Sequence, residues 1–247
     1  MTVASSLMTH HLYLEDCYVK QCDTTVRAVS KHDGNILVEL AETVFYPGGG
    51  GQPHDCGWLI GEQGTVFAVS AVYKFKDKVF HVVDKPGLVA GEKVVCRIDW
   101  DRRYRLMRMH TAAHIISDLF EARDNTLVSG NQLGLERSRI DLTLEDFDRE
   151  HMQSFEDRVH EVVKKNFPIQ KYVLSRDEAA QDPGLFTLLK GFPEDIKAIR
   201  VVDIVGFDKS ACGGTHLDST GEVKGVRFLK FENRGAKRRR IYFTLVD

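Results

Sequence analysis

The chain has 247 residues, of which 43% are apolar and 28% charged; it is long enough to bury a core in one large or two ordinary domains, which excludes a disordered chain. Thirty-four Lys+Arg stand against 36 Asp+Glu, so no global basic excess advertises nucleic acid, although a local one can hide in the total. No run approaches about 18 apolar residues, which argues against a transmembrane helix. Met1 to Asp16 carries no Lys or Arg and no apolar stretch, which argues against a secretory signal. Cys17, Cys22, Cys56, Cys96 and Cys212 include no CxxC pair, which speaks against a disulfide framework and for a reducing, cytoplasmic setting.

In chain order, residues 11–99 read as β-rich. Short runs of β-branched or aromatic residues at 26–29, 36–40, 65–72, 79–83 and 93–98 are separated by the turn residues His32-Asp33-Gly34-Asn35, Gly61, Lys76-Asp77-Lys78 and Lys85-Pro86-Gly87. Such spacing, with no long helical period between, suggests a small barrel or sandwich. From Arg102 to Ala122 the pattern turns helical: Leu106, His110, Ala113, His114 and Ser117 share a face, and Arg102, Arg103, Arg105 and Arg108 are expected to supply much of the remaining surface. A strand follows at 138–142, then a helix from about Glu145 to Asn166 with Thr143 as N-cap and Pro168 beyond its end. Residues 169–174 form another strand. Ser175-Arg176-Asp177-Glu178 has capping-box spacing and opens a short helix. Strands at 199–204, 226–231 and 240–246 complete the chain. Helices mixed with non-alternating strands favour α+β over a doubly wound sheet. The expected division is a β-barrel domain at 1–99 and an α+β domain at 100–247.

Two constellations point to a metal. His110-Thr111-Ala112-Ala113-His114 places two imidazoles one helical turn apart on one face. Thr111 stands where a zinc protease of the HExxH type carries its general-base Glu, which counts against that class. In Cys212-Gly213-Gly214-Thr215-His216 the two glycines suit a tight loop that turns a thiol and an imidazole to one point. Together they supply His, His, Cys and His, a set that zinc favours. Four protein ligands close a structural site, whereas a catalytic site usually keeps a position open for water. The H-x-E and P-C-x-x-C pattern of a zinc deaminase is missing.

A third feature, Phe45-Tyr46-Pro47-Gly48-Gly49-Gly50-Gly51-Gln52-Pro53-His54-Asp55-Cys56-Gly57, brings a backbone close to something, but it is neither a Walker loop nor a dinucleotide fingerprint. A fourth is charge. Lys224 to Arg240 holds eight basic residues against the single acid Glu232, a local +7 that suits phosphate binding or a solvated strand pair. The arginines from Arg102 to Arg108 are candidates to extend that surface.

HTAAH, CGGTH, FYPGGGGQPHDCG and the closing GAKRRRIYFTL together resemble one family, the free-standing alanyl-tRNA editing proteins of the AlaX type. The resemblance covers nearly the whole chain from about residue 12. It extends to the editing region of alanyl-tRNA synthetase and, more distantly, to the second N-terminal domain of threonyl-tRNA synthetase. It implies a small β-barrel followed by a two-layer α+β editing domain, with Zn2+ held by His110, His114, Cys212 and His216. It implies tRNA(Ala) mischarged with Ser or Gly as partner and hydrolysis of the ester at the tRNA 3′ end as reaction. Gly49, Gly50, Gly51 and Gln52 are then expected near the substrate. The segment 126–132 is expected to line the amino-acid pocket, with Thr126, Ser129, Asn131 and Gln132 as candidates to read the serine hydroxyl. Gly213 and Gly214 N–H groups are candidate oxyanion donors, and Arg238, Arg239 and Arg240 are candidates to grip the acceptor stem. The metal has two possible jobs, activating a water or holding the substrate, and four protein ligands favour the second. Two other readings stand beside this one: a non-catalytic zinc-containing tRNA-binding module, and a metal-dependent hydrolase of a small ester or amide.

Overall fold

The computed structural model describes residues 8–124, 126–144, 149–182, 185, 197–235 and 237–247. The chain divides into two compact units, Met1–Gly49 with Pro53–Arg103, and Gly50–Gln52 with Tyr104–Asp247.

The first unit is the expected barrel. A short parallel pair, β1 (His10–His11) with β4 (Glu42–Thr43), flanks the helical turn α1 (Leu12–Glu15). The closed barrel runs β2 (Gln21–His32), β3 (Asn35–Leu40), β7 (Lys78–Val83), β6 (Val66–Phe75), β5 (Gly57–Gly61), β8 (Lys93–Ile98) and back to β2. Alternation along each strand sends Val26, Val38, Leu40, Leu59, Phe67, Val69, Val72, Val79, Val94, Cys96 and Ile98 inward to one buried core. β5 escapes the sequence reading because its GWLIG run is short and closed by glycines; it becomes a strand by pairing with β6 and β8.

Helix α2 (Trp100–Asp124), which belongs to the second unit from Tyr104 onward, is far more buried than an amphipathic surface helix. Leu106, Met107, Arg108, Met109, His110, Thr111, Ala112, Ala113, Ile115 and Ile116 are all buried. A four-stranded antiparallel sheet has the order β14 (Val226–Asn233), β15 (Arg239–Leu245), β10 (Ser138–Leu142), β9 (Val128–Gln132). A second sheet runs β11 (Ile169–Ser175), β12 (Ala198–Ile204), β13 (Asp208–Ala211). Helix α3 (Arg149–Lys165) buries Phe155, Val159, Val162 and Val163, and Phe155 stacks on Phe120 of α2 at 3.8 Å. The mixed α+β class stands. The capping box that opens α4 (Arg176–Ala180) is formed: Glu178 N donates to Ser175 Oγ at 3.2 Å and Ser175 N to Glu178 Oε2 at 2.8 Å. The expected first turn of α3, residues 145–148, lies outside the described residues. Thr143, expected to cap that helix, exchanges hydrogen bonds with Leu127 N and O.

One expectation is overturned. The arginines of α2 do not form a common solvent face. Arg103 is fully buried against Asp55, and Arg108 is buried with its guanidinium on Asp247 and the carbonyls of Val223 and Val246. A charge inside a helix marks solvent only when no partner awaits it; here each buried guanidinium is held by acceptors distant in sequence.

Candidate metal centre and its surroundings

The four side chains picked out by HxxxH and CGGTH converge. His110, His114, Cys212 and His216 each offer a ligand atom within 4.8 Å of the others. Cys212 Sγ lies 3.6 Å from His110 Nε2 and 3.3 Å from His216 Nε2. Bond lengths of about 2.0–2.1 Å to nitrogen and 2.3 Å to sulfur put the edges of a tetrahedral site at about 3.3–3.6 Å; the two Cys212 edges match that size, and the donor set fits such a cation in chemistry.

What surrounds the four fits equally well. Each histidine has Nδ1 against a different oxygen: His110 on Gln52 Oε1 at 2.8 Å, His216 on Thr111 Oγ1 at 3.2 Å, His114 on Asp208 Oδ2 at 3.3 Å. Such contacts fix ring orientation and leave Nε2 for a metal. The loop is held from behind by Arg200 of β12, whose Nη1 donates to Cys212 O and Gly214 O, both at 2.9 Å. Gly214 has no substitute: a Cβ there would stand 2.1 Å from His110 Cε1. Its N–H donates to Cys212 Sγ at 3.4 Å, while Gly213 is exposed at the loop apex.

Burial works against the Cys212 thiolate, but the charges of His110 and His216 and hydrogen bonds from His110 and His114 outweigh it and hold the thiol well below its ordinary range. Burial and the neighbouring His110 charge push His216 well below its ordinary value. Burial also acts to lower His114, yet Asp208 and Cys212 prevail and raise it to about 10. A metal takes the neutral imidazole. It must therefore displace the proton that Asp208 and Cys212 favour on His114, whereas the lowered Cys212 thiol already favours the thiolate. Metal affinity is expected to rise with pH between about pH 6.5 and 8.5 as protons leave the cluster. Competition with a chromophoric chelator across that range checks it; a flat profile contradicts it. Beside Asp208, Asp118 is raised to about 7 by burial first and by the charges of Asp208 and Glu121 second.

The remaining sequence-predicted residues scatter in role. Gln52 is 2% exposed and bonded into the cluster. Gly49 O accepts from Tyr46 OH at 2.9 Å, and Gly51 O accepts from Leu133 N at 2.8 Å. Gly48, Gly49, Gly50 and Gly51 all have positive φ, 84°, 133°, 54° and 84°. Asn131 packs so closely on Gly51 that a Cβ there would overlap it. Ser129 Oγ donates to Asp141 O, and Gln132 Oε1 accepts from Arg139. Thr126 is buried, and its hydroxyl finds no partner among the described residues. Arg239 is buried with Nη1 on Asn233 and Gly235, Arg240 pairs with Asp141, and Arg238 is exposed. Thr111, Arg200 and Asp208 escaped the sequence reading. Thr111 lies inside HTAAH, but nothing in the sequence near Asp208 or Arg200 marks them.

A closed barrel and an α+β unit carrying a His3Cys cluster that could hold a metal ion define a two-part α+β protein with a candidate metal centre. Residues 12–102 match the class II (A) tRNA synthetase family, and residues 199–242 match the second additional domain of threonyl- and alanyl-tRNA synthetases. The chain is 46% identical over 246 residues to the alanyl-tRNA editing protein AlaX-M of Methanosarcina barkeri, covering 97% of this chain and all of that one. It is 37% identical to AlaX-M of Saccharolobus solfataricus, over 96% of this chain and 99% of that protein. Alanine–tRNA ligase of Sulfurisphaera tokodaii is 34% identical over 91% of this chain but only 25% of the ligase. The chain belongs to the AlaX-M family of alanyl-tRNA editing proteins. No described helix is long and apolar enough to cross a membrane.

Proposed function

We propose that the chain is a trans-editing hydrolase that cleaves the ester joining serine, and secondarily glycine, to the 3′ end of tRNA(Ala), with zinc held by His110, His114, Cys212 and His216. The observation that carries this reading is the cluster itself. Four zinc-type donors lie within 4.8 Å of one another, and each of the three histidines has Nδ1 engaged by an oxygen, in a chain that matches AlaX-M relatives over nearly its whole length.

When bound, the ion supplies Lewis-acid polarisation or a fixed anchor for the aminoacyl group. The chain's own residues do the rest. Gln52, Thr111 and Asp208 keep the three rings in one tautomer and orientation, and Arg200 fixes the loop. Of the two proposed oxyanion donors, the Gly214 N–H is already spent on Cys212, which leaves the Gly213 N–H for an anionic oxygen.

Selection is the harder task, because alanine fits wherever serine fits. Only a group that hydrogen-bonds the serine hydroxyl penalises alanine, by up to about 10⁴–10⁵-fold. Of the four proposed readers, Ser129 and Gln132 are bonded elsewhere and Asn131 covers Gly51. Thr126 has a buried hydroxyl with no partner among the described residues, a state costing about 1–3 kcal/mol until a partner arrives. Thr126 is therefore the favoured reader. For the acceptor stem, Lys224, Arg227, Lys230 and Arg238 are exposed on or beside β14 and β15. They are better placed to meet phosphates than the buried Arg239.

The test is a deacylation assay on Ser-, Gly- and Ala-tRNA(Ala) with bound zinc quantified on the same sample. Rapid loss of serine with alanine spared is expected, and Thr126→Val is expected to narrow the serine/alanine ratio by about tenfold or more. A zinc-loaded, folded chain that hydrolyses none of the three overturns the proposal.

A further inference from the structure

We propose that Gln52 is a positioning residue that sets the tautomer of His110, and that the four-glycine run exists to deliver it. The inference rests on the metal-centre reading above. It assigns the Gly-rich segment to the metal centre rather than to the substrate.

The argument starts from Thr215. Its backbone N–H is a donor and nothing else. It points at one atom of the Gln52 carboxamide at 3.1 Å, so that atom is the oxygen. The other end, Nε2, donates to Thr215 Oγ1 at 2.7 Å. A flipped amide would set an NH2 against the Thr215 N–H, donor against donor. With Oε1 so fixed, the contact at 2.8 Å to His110 Nδ1 has one sense: Nδ1 carries the proton and donates. Nε2 of His110 is then the lone-pair nitrogen, and it is the nitrogen that faces Cys212 Sγ. A backbone amide next to the ligand His216 thus dictates, through one side chain, which nitrogen of His110 is free for a metal.

Delivering that side chain explains the glycines. Four successive residues with φ between 54° and 133° describe a path that L side chains rarely follow. Gly51 passes where a Cβ would overlap Asn131 Oδ1, and Gly214 leaves room beside both His110 and Gln52 Oε1. Residues 50–52 accordingly group with the unit that carries the metal ligands. Gln52 is buried and three times hydrogen-bonded within that unit, which leaves little of it to meet a substrate.

The test measures Zn2+ affinity of the full chain by chelator competition for the wild type, Gln52→Glu and Gln52→Met. Glutamate keeps an acceptor for His110 Nδ1–H and Thr215 N–H, and its second oxygen accepts from the Thr215 hydroxyl. Methionine keeps length and bulk and offers no such acceptor. The Glu variant is expected within about threefold of wild type and the Met variant about 10–100-fold weaker. A merely space-filling Gln52 predicts the reverse order, with Met tolerated and a buried Glu not; that order, or Met equal to wild type, overturns the proposal. Should the Met variant fail to fold, the Glu variant decides alone, a tenfold loss overturning the inference and near-wild-type affinity sustaining it. A wild-type chain that takes up no zinc overturns the metal-centre reading instead.

Discussion

Cys212→Ala is expected to lose bound metal and deacylation together while the fold persists. Four-ligand zinc sites hold their ion by about 10–16 kcal/mol, so one ligand is worth about 2.5–4 kcal/mol, or two to three decades of affinity. Cys212 is the one thiolate of the set, which puts its removal at the upper end. On the proposed mechanism the rate with Ser-tRNA(Ala) falls at least as far, because the remaining three nitrogens no longer fix an ion at the loop. The fold is expected to survive for a specific reason. Helix α2 is held by its own buried residues, among them Leu106, Met107, Met109, Ile115, Ile116 and Phe120, and by the stack of Phe120 on Phe155. The cluster sits on a packed core and does not replace one, unlike small domains that unfold without their metal. Metal content, far-UV circular dichroism and deacylation on the same preparation check this. A variant that unfolds on losing metal points to a structural ion and to the tRNA-binding module. Full deacylation without metal removes the ion from the chemistry altogether.

The sequence exposed the four ligands because their spacing is local. His110 and His114 are one turn apart on a helix, and Cys212 and His216 flank two glycines in one loop. The residues that orient them are not local. Asp208 meets His114 across 94 positions and Gln52 meets His110 across 58, so only the folded chain pairs them. The barrel was legible for its alternating β-branched runs, while β5, β9 and β13 were not: GWLIG is short and closed by glycines, VSGNQ and DKSA carry too few apolar residues to announce strands, and all three owe their state to neighbours. The same limit explains the arginines. Counting charges around α2 assigns Arg103 and Arg108 to solvent, because period alone cannot see the acceptors that bury them. The Gly-rich run was recognised as a close approach, but which side chain it carries depends on the φ values of residues 48–51.

Asp55→Ala is expected to be the most destabilising single change in the first unit, by about 3–5 kcal/mol. Arg103 and Asp55 are both fully buried. The guanidinium is satisfied on every side: Nε donates to Asp55 Oδ1 and Oδ2 at 3.1 and 3.0 Å, Nη1 to Cys17 O at 2.9 Å, and Nη2 to Val44 O at 2.6 Å and to Asp55. Asp55 Oδ2 also accepts from Tyr46 N at 2.7 Å, and Asp55 N donates to Tyr46 O at 3.0 Å. The pair therefore closes the neck of the Gly-rich loop, whose tip presents Gln52. Removing the carboxylate strands a charge where no water reaches it and frees that neck at once. Replacing both partners, as in Asp55→Leu with Arg103→Met, removes the stranded charge and is expected to recover part of the loss. Urea unfolding followed by tryptophan emission reads this unit directly, because Trp58 and Trp100, the two tryptophans of the chain, both lie in it. An Asp55→Ala midpoint unchanged from wild type contradicts the expectation. A double variant no more stable than the single one shows that the pair's worth lies in the geometry of the neck and not in its charge.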